Sequence, residues 1–146
     1  MTEKLEDIAV AMVANGRGLL AADESTATIK KRFDTIGLES TETSRRDYRE
    51  MLLRAEKAMR KYISGVILYE ETLFQKAADG TPFVDIIKAA GSLPGIKVDI
   101  GAKPMAFHPH EFITEGLDGL YERLRKYHEA GARFAKWRGV ITIGDQ

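Results

Sequence analysis

Two hydrophobic rhythms alternate along the chain: stripes of helical period, and short apolar runs that end in charge. Leu5, Ile8, Ala9, Met12 and Val13 recur on one helical face, and Asn15-Gly16 is expected to end that helix. Gly18-Leu19-Leu20-Ala21-Ala22 is an apolar run closed by Asp23, the pattern of a buried strand with a charge at its carboxyl end. Ser25 or Thr26 can cap a second helix with an inner face of Ile29, Phe33 and Ile36, stopped at Gly37. Past a polar loop, Thr43 or Ser44 is expected to cap a longer helix with a stripe of Tyr48, Met51, Leu52, Ala55, Met59 and Tyr62.

The run from Ile63 to Tyr69 predicts a second strand, followed by Glu70-Glu71. A helical turn is expected within Thr72 to Ala78, and a helix opening at Thr81-Pro82 with proline in its first position. Gly95 to Gly101 alternates strictly as a third strand, with Ile96, Val98 and Ile100 on one face and Lys97 and Asp99 on the other. A long loop then leads to Asp118, the expected cap of a helix carrying Leu120, Leu124 and Tyr127 and closed by Gly131. Ala132 to Val140 is the fourth strand, with Lys136 and Arg138 sharing one face and Ala135 and Trp137 the other.

Strand and helix in alternation imply right-handed crossovers and a parallel sheet, an α/β fold. The strand ends near residues 23, 69, 99 and 138 are mostly wider apart than the about 31 residues per unit of a complete (β/α)8 barrel. The chain is therefore half of an elaborated barrel or a small open sheet. The faces favour the barrel. Strands covered by helices on both sides read as continuous apolar runs, as the second strand does. The third and fourth instead gather charge on one side, as strands lining a barrel mouth do. Reactive residues of such barrels sit at the carboxyl ends of several strands, where Asp23, Lys97, Asp99, Lys136 and Arg138 all fall.

Composition narrows the field of functions. The 146 residues are 44% apolar and 30% charged, with zero formal net charge and no cysteine. That balance fits one folded domain with a real core and offers no global basic field for nucleic acid or an anionic membrane. Thiolate catalysis and a disulfide framework are excluded. No apolar run approaches a membrane span, and the first residues are acidic where a signal peptide is basic, so a cytoplasmic location is expected.

If the strand-end side chains converge, crowded cations favour an anionic substrate and ease deprotonation of a lysine near neutral pH. Such an amine can attack a carbonyl to form a Schiff base while a nearby carboxylate moves protons. On chemistry alone Lys97 and Lys136 are both candidate nucleophiles and Asp23 a candidate proton carrier. Ion pairs that merely hold strand ends together account for the same residues equally well. Ser25, Thr26, Thr28, Lys31 and Arg32 open a helix just past the first strand, which suits a phosphate or a well-capped helix with a solvated basic face. His108-Pro109-His110, with His128, is a weak metal signature more simply read as loop, and no metal is expected. Arg45, Arg46, Arg49, Arg54, Lys57, Arg60 and Lys61 alternate with Asp47, Glu50 and Glu56, the pattern of a solvated helix face.

Five segments, in this order, carry a resemblance: Leu20 to Thr26 (LAADEST), Gly65 to Leu73 (GVILYEETL), Gly95 to Asp99 (GIKVD), Gly116 to Leu120 (GLDGL) and Phe134 to Arg138 (FAKWR). Together they resemble class I fructose-1,6-bisphosphate aldolase across nearly the whole chain. The resemblance implies a (β/α)8 TIM barrel, of which residues 1–146 are the N-terminal half with about the first four βα units. It implies reversible cleavage of fructose 1,6-bisphosphate into two triose phosphates through a lysine Schiff base, without a cofactor or metal. The partner it implies is a phosphorylated sugar, with a homo-oligomer, a tetramer in the family, once the barrel is complete.

By position, Asp23 matches the aspartate that assists carbon–carbon cleavage and proton transfer, and Lys136 the lysine that stabilises charge in those steps. Lys97 and Arg138 match residues that bind substrate near the phosphate away from the Schiff-base carbon. Ser25, Thr28 and Arg32 match a cluster that also contacts substrate phosphate. Ala27 and Thr28 stand where the family commonly has glycine and serine, and Ile100 where it commonly has lysine. The family's Schiff-base lysine and main acid/base glutamate belong to later strands, beyond Gln146. The 146 residues alone are expected to be inactive, as a fragment or as a non-catalytic half-barrel module.

Overall fold

The computed structural model describes residues 4–14 and 16–144; Asn15, expected to help end the first helix, lies outside them. The elements in chain order are α1 (Leu5–Met12), β1 (Gly18–Ala22), α2 (Thr26–Asp34), α3 (Glu42–Leu53), α4 (Glu56–Tyr62) and β2 (Ile63–Leu68). Then follow α5 (Glu70–Phe74), α6 (Phe83–Ala89), β3 (Leu93–Lys97), β4 (Gly101–Pro104), β5 (Phe112–Glu115), α7 (Leu120–Glu129) and β6 (Phe134–Lys136). The strands β1-β2-β3-β6 form one parallel sheet in sequence order, each joined to the next by helices. That order is the one successive barrel units require.

Register assigns the two faces of the sheet. Ala22, Leu68 and Ile96 lie side by side on the helix-covered face, buried together with Val66, Phe83 and Ile87. The other face carries Ala21, Ile67, Gly95 and Phe134 in one row. Phe134 covers this row so closely that a Cβ at Gly95 would stand 2.2 Å from its ring. Glycine is required there by space. One step toward the carboxyl ends on this face come Lys97 and Lys136, paired in register.

Several expectations need correction. The long helix is two helices, because Ala55 leaves helical geometry at φ −72°, ψ 66°. In the first segment Leu53 is buried and Met51 exposed, and in the second Met59 is buried and Tyr62 exposed. Its cap is Thr41, which exchanges hydrogen bonds with Ser44 at the third helical position. The basic residues of α3 are not a solvated face throughout: Arg45 pairs with Glu71, Arg49 with Glu24, and Arg54 with Glu50 and Asp79. Ile36 is exposed in the turn after α2, so the inner face ends at Ile29 and Phe33.

The third strand stops at Lys97, and Gly101, at φ 104°, redirects the chain. Ile100 is consequently 62% exposed instead of sharing the face of Ile96 and Val98. The expected long loop is an antiparallel hairpin of β4 and β5, whose second strand is rich in the β-formers Phe112, Ile113 and Thr114. The cap of α7 is Gly119 rather than Asp118; its φ of 65° is a conformation that glycine adopts without strain. Pro82 occupies the cap of α6, one place before the first helical position. Among the described residues, no helix is long and apolar enough to cross a membrane.

Candidate active site

Each parallel strand delivers a polar side chain to the same end of the sheet, because the register keeps Lys97 and Lys136 level and places Asp23 just past Ala22. In a flat sheet β1 and β6 would stand about 14 Å apart, three strand spacings. Yet Lys136 Nζ donates to Asp23 Oδ2 at 2.6 Å. The sheet therefore curls toward this face, as a barrel wall does.

Lys97 Nζ donates at 2.7 Å both to Asp99 Oδ1 and to the Asp99 carbonyl. Asp99 also accepts the Gly101 amide on Oδ1 and the Arg138 amide on Oδ2, each at 3.2 Å. Its carboxylate is only 1% exposed. Burial alone would raise the Asp99 pKa, but the Lys97 hydrogen bond and charge, with the Arg138 and Gly101 amides, hold it below the ordinary range. The carboxylate thus stays ionised and joins β3 to the chain leaving β6.

These residues border an open cleft of about 400 Å³, lined by Asp23, Ser25, Thr28, Lys97, Lys136 and Arg138 among others. Ser25 Oγ caps α2 by accepting the Thr28 amide at 3.3 Å and lies 3.1 Å from Thr28 Oγ1. Both hydroxyls thus sit at the positive end of a helix beside the cleft. The structure brings together every expected site residue except Arg32, which does not line the cleft. Arg32 lies one helical turn past Thr28, with Nη1 donating to Glu24 Oε1.

Reasoning from sequence missed Glu24 and Tyr69, which line the cleft, and the buried Arg49 that holds Glu24. Glu24 directly follows the strand-end Asp23, and that adjacency was the available signal. Arg49 stands four residues before Leu53, so choosing Leu53 for the core stripe would have turned it inward. Among the described residues, no three histidine, aspartate or glutamate side chains form a group able to hold a metal ion. His108 faces Glu111 at 3.6 Å, and the His110 carbonyl accepts from Thr142.

Chemically, the cleft offers two lysine–carboxylate pairs, helix-end hydroxyls, and an exposed Arg138 whose guanidinium has no partner among the described residues. That set suits an anionic ligand, and the Lys136–Asp23 hydrogen bond joins a proton donor to a proton acceptor. A family model described as fructose-bisphosphate aldolase class-I matches residues 4–146. Fructose-bisphosphate aldolase 1 of Toxoplasma gondii is 54% identical over 143 residues, covering 98% of this chain and 39% of the relative. The cytosolic fructose-bisphosphate aldolase 6 of Arabidopsis thaliana is 54% identical over 147 residues, covering 98% and 41%. A solved Plasmodium falciparum fructose-bisphosphate aldolase, in complex with TRAP and a small-molecule inhibitor, superposes with a TM-score of 0.88 at 52% identity, covering 92% of this chain and 38% of that one. The chain spans about two fifths of the length of these relatives.

Proposed function

The chain belongs to the class I fructose-bisphosphate aldolase family, and from that premise we propose that residues 1–146 form the N-terminal half of a (β/α)8 barrel. As part of a complete barrel they serve the reversible cleavage of fructose 1,6-bisphosphate to dihydroxyacetone phosphate and glyceraldehyde 3-phosphate. The observation that carries this reading is the Lys136–Asp23 contact across the sheet, which draws the strand ends into one cleft. Asp23 is assigned the proton of the hydroxyl whose carbon is cleaved, and Lys136 stabilises the negative charge that develops as the bond breaks. Lys97 and Arg138 bind substrate near the phosphate remote from the covalent carbon, and Ser25 and Thr28 at the start of α2, with Arg32 in its last turn, contact phosphate. The location is cytoplasmic and the complete protein a homo-oligomer.

Neither Lys97 nor Lys136 is the covalent lysine in this assignment. Borohydride trapping with dihydroxyacetone phosphate tests it. The 146-residue chain is expected to yield no adduct by intact-mass measurement, and an adduct mapped to Lys97 or Lys136 would overturn the assignment. A second reading, a half-barrel that docks another chain, draws on β1 and β6, each of which pairs on one side only among the described residues. Concentration-dependent association in sedimentation, without phosphate-ester binding, would favour it.

A further inference from the structure

Arg49 lies on a helix whose basic residues look solvated in sequence, yet its side chain is 3% exposed. Burying a guanidinium is costly unless its charge and donors are met. Glu24 meets them. Arg49 Nη1 donates to Glu24 Oε2, and Nη2 donates to the Glu24 carbonyl at 2.8 Å. Glu24 is thus gripped by side chain and main chain at once. The Arg49 guanidinium also stands 5.5 Å from the centre of the Tyr48 ring, within cation–π range.

The second carboxylate oxygen of Glu24, Oε1, accepts from Arg32 Nη1, which also reaches Tyr48 Oη at 3.4 Å. Tyr48 is braced edge-on against Phe33 with ring centres 5.9 Å apart. One carboxylate is therefore shared between two guanidinium groups, leaving one positive charge in the cluster. Arg32 is its exposed member, with a side chain 57% exposed. If Arg49 were absent, both oxygens of Glu24 would be open to a two-pronged, neutralising pair with Arg32. With Oε2 taken, Arg32 is held by a single nitrogen. Its Nε and Nη2 have no partner among the described residues, and that edge of the guanidinium has the geometry for two parallel bonds to a phosphate. Burial opposes the charge on Glu24, but the Arg49 hydrogen bond, a backbone contact and both arginines hold its carboxyl below the ordinary range.

We propose that Arg49 is a positioning residue: through Glu24 it fixes Arg32 beside the cleft with its Nε–Nη2 edge free to capture a substrate phosphate. The proposal rests on the reading of the cleft as a phosphate-ester site. Ser25, the cap of α2, and Thr28, one turn before Arg32, both line the cleft, so Arg32 extends their cluster outward along the helix.

The test uses the whole 146-residue chain with inorganic phosphate as the probe. Calorimetry reads affinity, and nitrogen-15 relaxation of the Arg32 Nε–H group reads its order. Arg49→Lys keeps the charge but loses the planar fork that serves both Glu24 acceptors. The expected result is a mobile Arg32 and a phosphate Kd raised about fivefold, a change that disappears in an Arg32→Ala background. An equal loss of affinity with and without Arg32 would overturn the proposal, since Arg49 would then act by another route. So would an ordered Arg32 and unchanged Kd in Arg49→Lys, an outcome that leaves the phosphate-ester reading intact. Absence of phosphate binding by the unsubstituted chain overturns that reading and the capture role with it. Should Arg49→Lys fail to fold, Glu24→Asp, which keeps the charge but withdraws the carboxylate from both arginines, is measured in its place, with the same expected and overturning results.

Discussion

Two lysine–aspartate pairs stand at the same end of the sheet and do different work. Lys97 and Asp99 are two residues apart, and their contact lies within one stretch of chain just before the turn at Gly101. Lys136 and Asp23 are 113 residues apart and meet only when the sheet has curled. The first is enclosed at its carboxylate: the Asp99 side chain is 1% exposed and its hydrogen bonds are all internal. The second is open, with Lys136 32% exposed. A closed pair fixes local geometry, whereas an open pair across a curved sheet keeps polar groups within reach of a ligand. The difference separates the carboxylate that holds the site, Asp99, from the groups that face the cleft, which include the Lys97 ammonium as well as Lys136.

Removing the closed pair is the largest expected break. Asp99→Ala strands the Lys97 ammonium and two backbone amides, and is expected to cost about 3 kcal/mol in denaturant unfolding. The value lies at the low end for buried pairs because Lys97 retains some access to water. A cost below about 1 kcal/mol would make the enclosure of Asp99 energetically idle. The same pair sets an acid limit. Asp99 and Glu24 both have carboxyl pKa values below the ordinary range, so their ionised forms stabilise the fold above the unfolded-chain values. That contribution drains away as pH falls from about 4 through the lower folded-state values. Asp99→Asn is expected to flatten this acid slope in a series of melts, and an unchanged slope would contradict the sign.

The open pair is expected to matter less for stability and more for chemistry. Lys136→Met removes a partly hydrated ion pair and is expected to cost about 1 kcal/mol. Trp137, the single tryptophan, adjoins it and reports the unfolding. In a completed barrel Lys136→Ala is expected to lower turnover by about 100-fold, the scale for loss of a charge-stabilising group. Near-normal turnover would remove Lys136 from the reaction.

The contrast also explains what could be read from sequence. The four parallel strands and the strand-end residues Asp23, Lys97 and Lys136 were legible, because short apolar runs, period-two patterning and charge at a strand end are local signals. Arg49 was not, because it is one arginine among several and its burial depends on Glu24, which is 25 residues away. The break at Ala55 was equally hidden, since Ala is a strong helix former. There Glu50 accepts both Arg54 Nε and the Ala78 amide, each at 2.8 Å, a tertiary contact that no helical pattern encodes. The hairpin of β4 and β5 was missed because its alternation is short and follows a strand that itself ends early.

The smallest expected effect concerns Ile100, an apolar residue on the cleft wall where the resemblance leads one to expect lysine. Its side chain lies largely in solvent, so Ile100→Lys removes little buried surface and is expected to shift stability by less than about 0.5 kcal/mol. The added ammonium would face the cleft beside Lys97 and Arg138, where Asp99 already neutralises Lys97. Phosphate affinity, measured by calorimetry, is therefore expected to rise about threefold at low salt and to lose that gain as salt screens the new charge. A stability loss above about 1 kcal/mol would mean that Ile100 packs as part of the closed region, and the boundary between the two pairs would have to be redrawn to include it.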